Sequence, residues 1–225
     1  SKLIDAAQFN TIRDISIFVP NFFIPDYGSA MSTAPYIRGV GSRSCGQAMA
    51  LYVDNVPYFE KTTFDFDFYD IMQIDVLRGP QGTLYGRNAM GGVINIYTLS
   101  PLKYQGTKFS VAGGNYGSIM AQAAHYMKLN SKMGLSLSGY YHHRNGFFTN
   151  TYTGKDADDQ TSAGGRVRFD WQLNPQWKAQ YVVNYDYIDQ TAFPYGLYDK
   201  TTGKVAAPNF NDPSSYNRSM LTNSL

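Results

Sequence analysis

The spacing of apolar residues along this chain changes near residue 100, and each half predicts a different kind of element. Before that point, short apolar segments are separated by glycine and proline. The segment 5–16 reads as a short amphipathic helix, with Asp5 as its cap, Phe9, Ile12 and Ile15 three apart, and Pro20 ending it. Short strands are predicted in YIRGVGSR (36–43), MALYVDNVPY (49–58) and IMQIDVLRG (71–79), with Asp54 and Asn55 forming a turn in the second. In the third, Ile74, Val76 and Arg78 alternate with Asp75 and Leu77. This half is a compact α+β unit, too irregular for a doubly wound sheet.

From Tyr104 onward the alternation is long and regular. It predicts antiparallel strands at 104–112, 118–129, 133–144, 163–173 and 177–189, and the start of another after about Tyr216. RVRFDWQL shows the pattern best: Val167, Phe169, Trp171 and Leu173 lie on one side, Arg166, Arg168, Asp170 and Gln172 on the other. The connections alternate as well. LNSKM and LNPQW are tight polar turns, whereas 145–162 and 190–215 are long and rich in Gly, Asp, Asn, Thr and Pro. Long strands, with short turns at one end and long loops at the other, suit the tilted wall of a membrane barrel. Five or six strands do not close such a wall, whose smallest version has eight, so the chain is expected to be part of a longer protein.

Composition sharpens this picture. Charged residues make up 16%, below the roughly 25% of soluble domains, while 19 Tyr and 14 Phe accompany 21 Gly. Tyrosine at this density fits the aromatic girdles of a membrane barrel. No apolar run reaches the length of a transmembrane helix, and there is no start of the secretory type, as in a cytoplasmic protein or a mature chain. A net charge of +2 without a basic stripe argues against nucleic acid, and the single Cys45 excludes an internal disulfide or cysteine metal cluster.

No GxSxG elbow or HExxH pair orders the Ser, His and Asp residues, so no enzyme and no cofactor are expected. His142 and His143 are adjacent on a strand and point to opposite faces, which makes them poor joint ligands for one ion. Asp156, Asp158 and Asp159 in a long loop are weak calcium candidates, with solvated loop charge as the plainer reading. The glycines Gly79, Gly82, Gly86, Gly91 and Gly92 suit positive φ or close backbone approach rather than a phosphate cradle, since no GK[ST] follows.

Three segments carry a resemblance: YIRGVGSR, YVDNVPY (52–58) and above all IDVLRGPQGTLYGRNAMGGVINIYT (74–98). In these the chain resembles the TonB-dependent outer-membrane receptors of Gram-negative bacteria. The resemblance implies a plug domain at 1–101, incomplete at its N-terminus, and the first five to six strands of a β-barrel at 102–225, part of 22 in complete members. It implies active transport of a scarce ligand, most simply a ferric siderophore, with cobalamin, haem or a small saccharide as alternatives. The energy would come from the TonB-ExbB-ExbD complex, which pulls on a segment expected to precede Ser1. Glycan importers usually carry a lysine-aspartate motif where this chain has LRGPQG, which favours a small ligand.

Within that frame Arg38, Arg78 and Arg87 are candidates to latch the plug, paired with inward-facing carboxylates of the wall. Tyr36, Arg43, Gln47 and Tyr58 are candidates for ligand contact at the plug's outer apices. Two other classes compete: a soluble, surface-exposed β-rich adhesion module, and a passive porin or enzyme barrel. Neither explains the GPQGTLYG to GGVINI run.

Overall fold

The computed structural model describes residues 11–42, 46–59, 61–64, 69–191, 194–211 and 215–225. Of the predicted helix at 5–16, residues 5–10, with Asp5 and Phe9, lie outside these. The described part is a 3-10 helix at Ile12–Ile17, opened where the Thr11 N–H donates to Asp14 Oδ2 at 2.9 Å. Ile12 and Ile15, three apart, stack on one buried side, as a helix of three residues per turn requires.

The first body holds two small sheets. Strands β1 (Phe22–Phe23), β2 (Tyr36–Ile37) and β3 (Val40–Gly41) make an antiparallel three-stranded ribbon. Strands β4 (Met49–Val53), β5 (Val56–Tyr58), β6 (Ile71–Arg78) and β7 (Gly92–Thr98) form a mixed sheet in the order β5-β4-β7-β6. Only β4 and β7 run parallel. That central pair is covered on both sides and reads almost wholly apolar. Met49, Leu51, Ile94 and Ile96 join Ile12, Ile15 and Phe64 in the main core, while Ala50 and Val93 pack with Ala89 on the opposite face. A single helical turn, α1 (Gly82–Tyr85), links β6 to β7.

The second body is one antiparallel sheet of β8 (Gly106–Gly113), β9 (Ile119–Lys128), β10 (Met133–Arg144), β11 (Gln160–Gln172) and β12 (Lys178–Thr191). A small hairpin of β13 (Tyr198–Asp199) and β14 (Lys204–Val205) lies in the loop after β12, and β15 (Ser215–Ser224) then pairs with β12. The sheet is open, with β8 and β15 at its edges. Its strands fall within a few residues of those the alternation predicts.

The wall is apolar outside and polar inside. Along β11, Val167 is 44% and Trp171 37% exposed, whereas Arg166 and Arg168 are 4% and Asp170 0%. The charged side of RVRFDWQL is the side that packs against the first body. In water this arrangement would be inverted; with lipid outside and a polar body inside it is the expected one.

Candidate functional site

The inner face of β10, β11 and β12 meets the first body along a polar seam. Two sharp backbone features aim that body's carboxylates into it. Asp54 and Asn55, with φ of 50° and 69°, form the tight turn between β4 and β5, and Asp70, at φ 67°, immediately precedes β6. The Asp54 carboxylate accepts from the Thr98 N–H at 2.9 Å and the Thr98 hydroxyl at 2.6 Å, closing the end of β7. Its Oδ1 also lies 3.2 Å from Arg168 Nη1.

Arg168 is the hub of the lower seam. Its Nε and Nη2 donate to Asp170 at 2.9 and 3.2 Å in a fork, and Nη2 donates to Gln180 at 3.0 Å. Nη1 crosses to Thr98 Oγ1 at 2.6 Å. Asp170 in turn accepts from the Ser100 hydroxyl at 2.5 Å and lies 3.1 Å from Lys178 Nζ. A buried guanidinium is held in this way by one carboxylate of its own wall and one of the opposing body.

Higher in the seam, Asp70 accepts from the Tyr126 hydroxyl in a short hydrogen bond and from Ser138 at 3.4 Å. Burial pushes the Asp70 carboxyl up to about 6, against the opposing pull of the Tyr126 hydrogen bond and of Arg166 and Arg168. The Tyr69 hydroxyl donates to Asn184 Oδ1 at 2.7 Å, and its ring packs on Tyr140 at 4.8 Å. Burial raises the Tyr69 phenol above its usual range, so it stays a donor. Tyr140 donates to Asp186 at 3.2 Å across Gly164, where a Cβ would strike both the ring and the carboxylate.

Among the described residues, Arg78, Arg87 and Arg38 touch no wall carboxylate. All three are exposed. Arg78 donates to the Pro20 carbonyl at 3.3 Å, Arg87 stacks 4.6 Å over the Phe59 ring, and Arg38 is a positive-φ turn residue whose N–H reaches the Asn21 carbonyl. Charge across the seam has the opposite polarity: the wall supplies Arg168 to the enclosed body's Asp54, and the Tyr126 and Ser138 hydroxyls to its Asp70. Sequence reasoning placed Asp54 only in a turn and passed over Tyr69 and Asp70. The usable signal was the charged face of RVRFDWQL, which needed partners of its own.

The ligand-contact candidates scatter. Arg43 lies outside the described residues. Tyr58 turns to the wall, 3.3 Å from Thr222 Oγ1, and burial raises its phenol. Gln47 is buried, its Oε1 accepting from Asn88 at 3.4 Å. The Tyr36 ring lies where Gly41 lacks a Cβ.

Among the glycines, Gly79 and Gly86 have positive φ of 110° and 71°. Gly91 backs onto Val40, a Cβ on Gly92 would meet the Leu77 carbonyl, and Gly82 faces open space. The loop carboxylates are already used. Asp158 accepts from the Phe147 and Phe148 N–H groups, Asp156 from that of Gly146, and Asp159 from the Thr191 hydroxyl, so the three carboxylates brace different segments.

Near the long loops a cavity of about 270 Å³ lies between the two bodies, lined by Arg13, Asp26, Ser29, His142, Arg144 and Gln190, among others. Arg13 pairs with Asp26 at 2.6 Å, and Arg144 with Asp158 at 3.5 Å. The Ala30 N–H donates to Gln190 at 2.9 Å.

Residues 1–93 match the TonB-dependent receptor plug domain family. The pesticin receptor of Yersinia pestis is 40% identical over 85 residues, covering 37% of this chain and 12% of that protein. The vitamin B12 transporter BtuB of Photobacterium profundum is 29% identical over 119 residues, 51% of this chain and 19% of that protein. The crystal structure of the ferric yersiniabactin uptake receptor FyuA from Yersinia pestis superposes with a TM-score of 0.84 over 99% of this chain, at 23% identity. The chain spans 36% of that structure's length. Residues 1–93 thus match the TonB-dependent receptor plug domain, and the plug with its open antiparallel wall shares the fold of the uptake receptor's structure.

Proposed function

We propose that the complete protein imports a ferric siderophore across the outer membrane, with 1–101 acting as the plug and 102–225 as the first part of the wall. The observation that carries this reading is the polar seam. A body that only filled the barrel would be packed by apolar side chains, whereas Asp54, Asp70 and Tyr69 hold it by hydrogen bonds and ion pairs that water can replace as the body moves. Pulling by the TonB-ExbB-ExbD complex would break these contacts and open a polar path; no catalytic step is involved.

The short turns after β9 and β11 put that end of the wall in the periplasm, and the long loops put the 270 Å³ cavity toward the outside. On this reading ligand arrives at the cavity end. Tyr36 and Arg43 remain candidates for contact at the plug's outer surface, and buried Gln47 would reach a ligand only if the plug rearranged. Arg38, Arg78 and Arg87, exposed here, would latch only onto wall surfaces beyond these six strands. The ferric yersiniabactin of the structurally similar receptor favours an iron chelate, and the likeness to a vitamin B12 transporter supports cobalamin as the second reading.

The test is import by cells expressing the full-length receptor, given radiolabelled ferric siderophores, cobalamin and haem, with and without a working TonB. TonB-dependent accumulation of one ferric siderophore is the expected result. Accumulation of cobalamin alone would transfer the assignment, and TonB-independent entry of all of them would end it.

A further inference from the structure

Arg166 stands apart from the other seam cations. It is 4% exposed, projects from the middle of β11 toward the plug, and among the described residues has no carboxylate within ion-pair distance. Its Nη1 is buried without a hydrogen-bond partner. What covers it is the plug: the Tyr69 ring lies 4.9 Å from its guanidinium carbon. It also borders a cavity of about 20 Å³, one water in size, together with Asp54, Tyr58 and Thr222. A wholly buried guanidinium with an empty donor is costly to keep unless it serves another state of the molecule.

The neighbours indicate what that state holds. On the same inner face, Arg166 pairs in register with Ser138 on β10 and Asn184 on β12, neutral groups able to bond a second oxygen. One register step toward the periplasmic end, Arg168 already holds a carboxylate that crosses from the plug, Asp54. In the resting seam Asp54 acts as a tethered occupant of a carboxylate-binding wall, while Arg166 feels Asp54, Asp70 and Asp186 at longer range and, among the described residues, forms no ion pair with any of them.

We propose that Arg166 is a transit site of the wall for carboxylate-bearing anions, covered at rest by Tyr69 and uncovered when the plug shifts. This rests on the uptake reading and names the chemistry of the ligand: a chelate with at least one free carboxylate, taken in a fork by the guanidinium as Asp170 is by Arg168. Arg166 hands the anion toward Arg168 as Asp54 withdraws from it.

Citrate serves as the probe and phenylglyoxal, which modifies accessible arginines, as the reporter, with Arg166 followed by mass spectrometry in the full-length receptor in detergent. Wild type should label slowly at Arg166, with no effect of citrate. Tyr69→Ala and Tyr69→Thr, both of which remove the covering ring, should label faster, and excess citrate should slow that labelling about tenfold, the scale of one charge-assisted pair. Labelling that citrate leaves unchanged would overturn the proposal. So would an Arg166 that stays unlabelled in both variants, because Tyr69 would then not be its cover. Failure of the uptake reading is separable: a receptor that imports no ferric siderophore would still show citrate protection.

Discussion

Arg168 binds two bodies with one side chain: Asp170 on its own wall, and Asp54 and Thr98 on the plug. Arg168→Gln removes the charge but leaves Asp170 with Lys178 and Ser100. It strands Asp54 in a buried place, a loss on the order of 3–5 kcal/mol for a broken buried pair. Urea-induced release of the plug, followed by protease access to β6, should shift to clearly lower denaturant, and Asp54→Asn should shift it less because Arg168 keeps Asp170. Equal shifts would place the coupling elsewhere. Asp70 adds a dependence on pH. Its folded-state value, about 6, lies above the unfolded value of 3.8, so the folded plug retains this proton longer. The stability it contributes is complete below about pH 4 and is lost as pH rises through about 6. The melting temperature of wild type minus that of Asp70→Asn should therefore fall between pH 4 and about 6 and level off above; a flat difference would contradict the burial argument.

At the scale of elements, β11 decides which side of the wall faces lipid. Val167→Arg puts a charge on the apolar face and should cost about 2–4 kcal/mol near the bilayer midplane, read as reduced folded yield in lipid vesicles. Gly164→Ala should also destabilise, by about 1–3 kcal/mol, because the new methyl enters the space shared by Tyr140 and Asp186. The strands themselves were legible: the alternation of Val167, Phe169 and Trp171 against Arg166, Arg168 and Asp170 has one period and needs no partner to be read. Which face was inside was legible too, once the aromatic content suggested lipid. The seam was not, because Asp54, Tyr69 and Asp70 sit in irregular segments whose direction is set by positive φ at Asp54 and Asp70, not by any period. The arginines of LRGPQG and YGRN stood out by motif, yet these six strands leave them exposed. Motif strength marks the plug, and only placement marks its partners.

For the whole molecule, the outer loops act as a unit. The Asn150 side chain donates to the Phe210 carbonyl at 2.9 Å and accepts the Phe210 N–H at 3.1 Å, joining the loop after β10 to the loop after β12. The Thr151 N–H reaches the Pro208 carbonyl, and Tyr195 of the second loop donates to the Tyr27 carbonyl of the plug at 2.9 Å. Asn150→Ala should make residues 206–211 several times more sensitive to limited proteolysis in intact cells while leaving the wall folded; unchanged cleavage would mean that the loops are held by other contacts.

The passage from plug to wall is the seven residues 99–105, between the end of β7 and the start of β8. At rest they are wound into a turn by the Lys103 and Tyr104 N–H groups on the Ser100 carbonyl, and Ser100 is fastened to Asp170. Fully drawn out, seven residues reach about 25 Å. The plug is therefore on a leash anchored beside the Arg168 ion pair: on the proposed uptake reading, traction from its other end would load the seam progressively, like peeling tape, and reach the Arg168 knot last. A body that swung out on such a tether would stay attached to the wall, so each opening would carry its own route back.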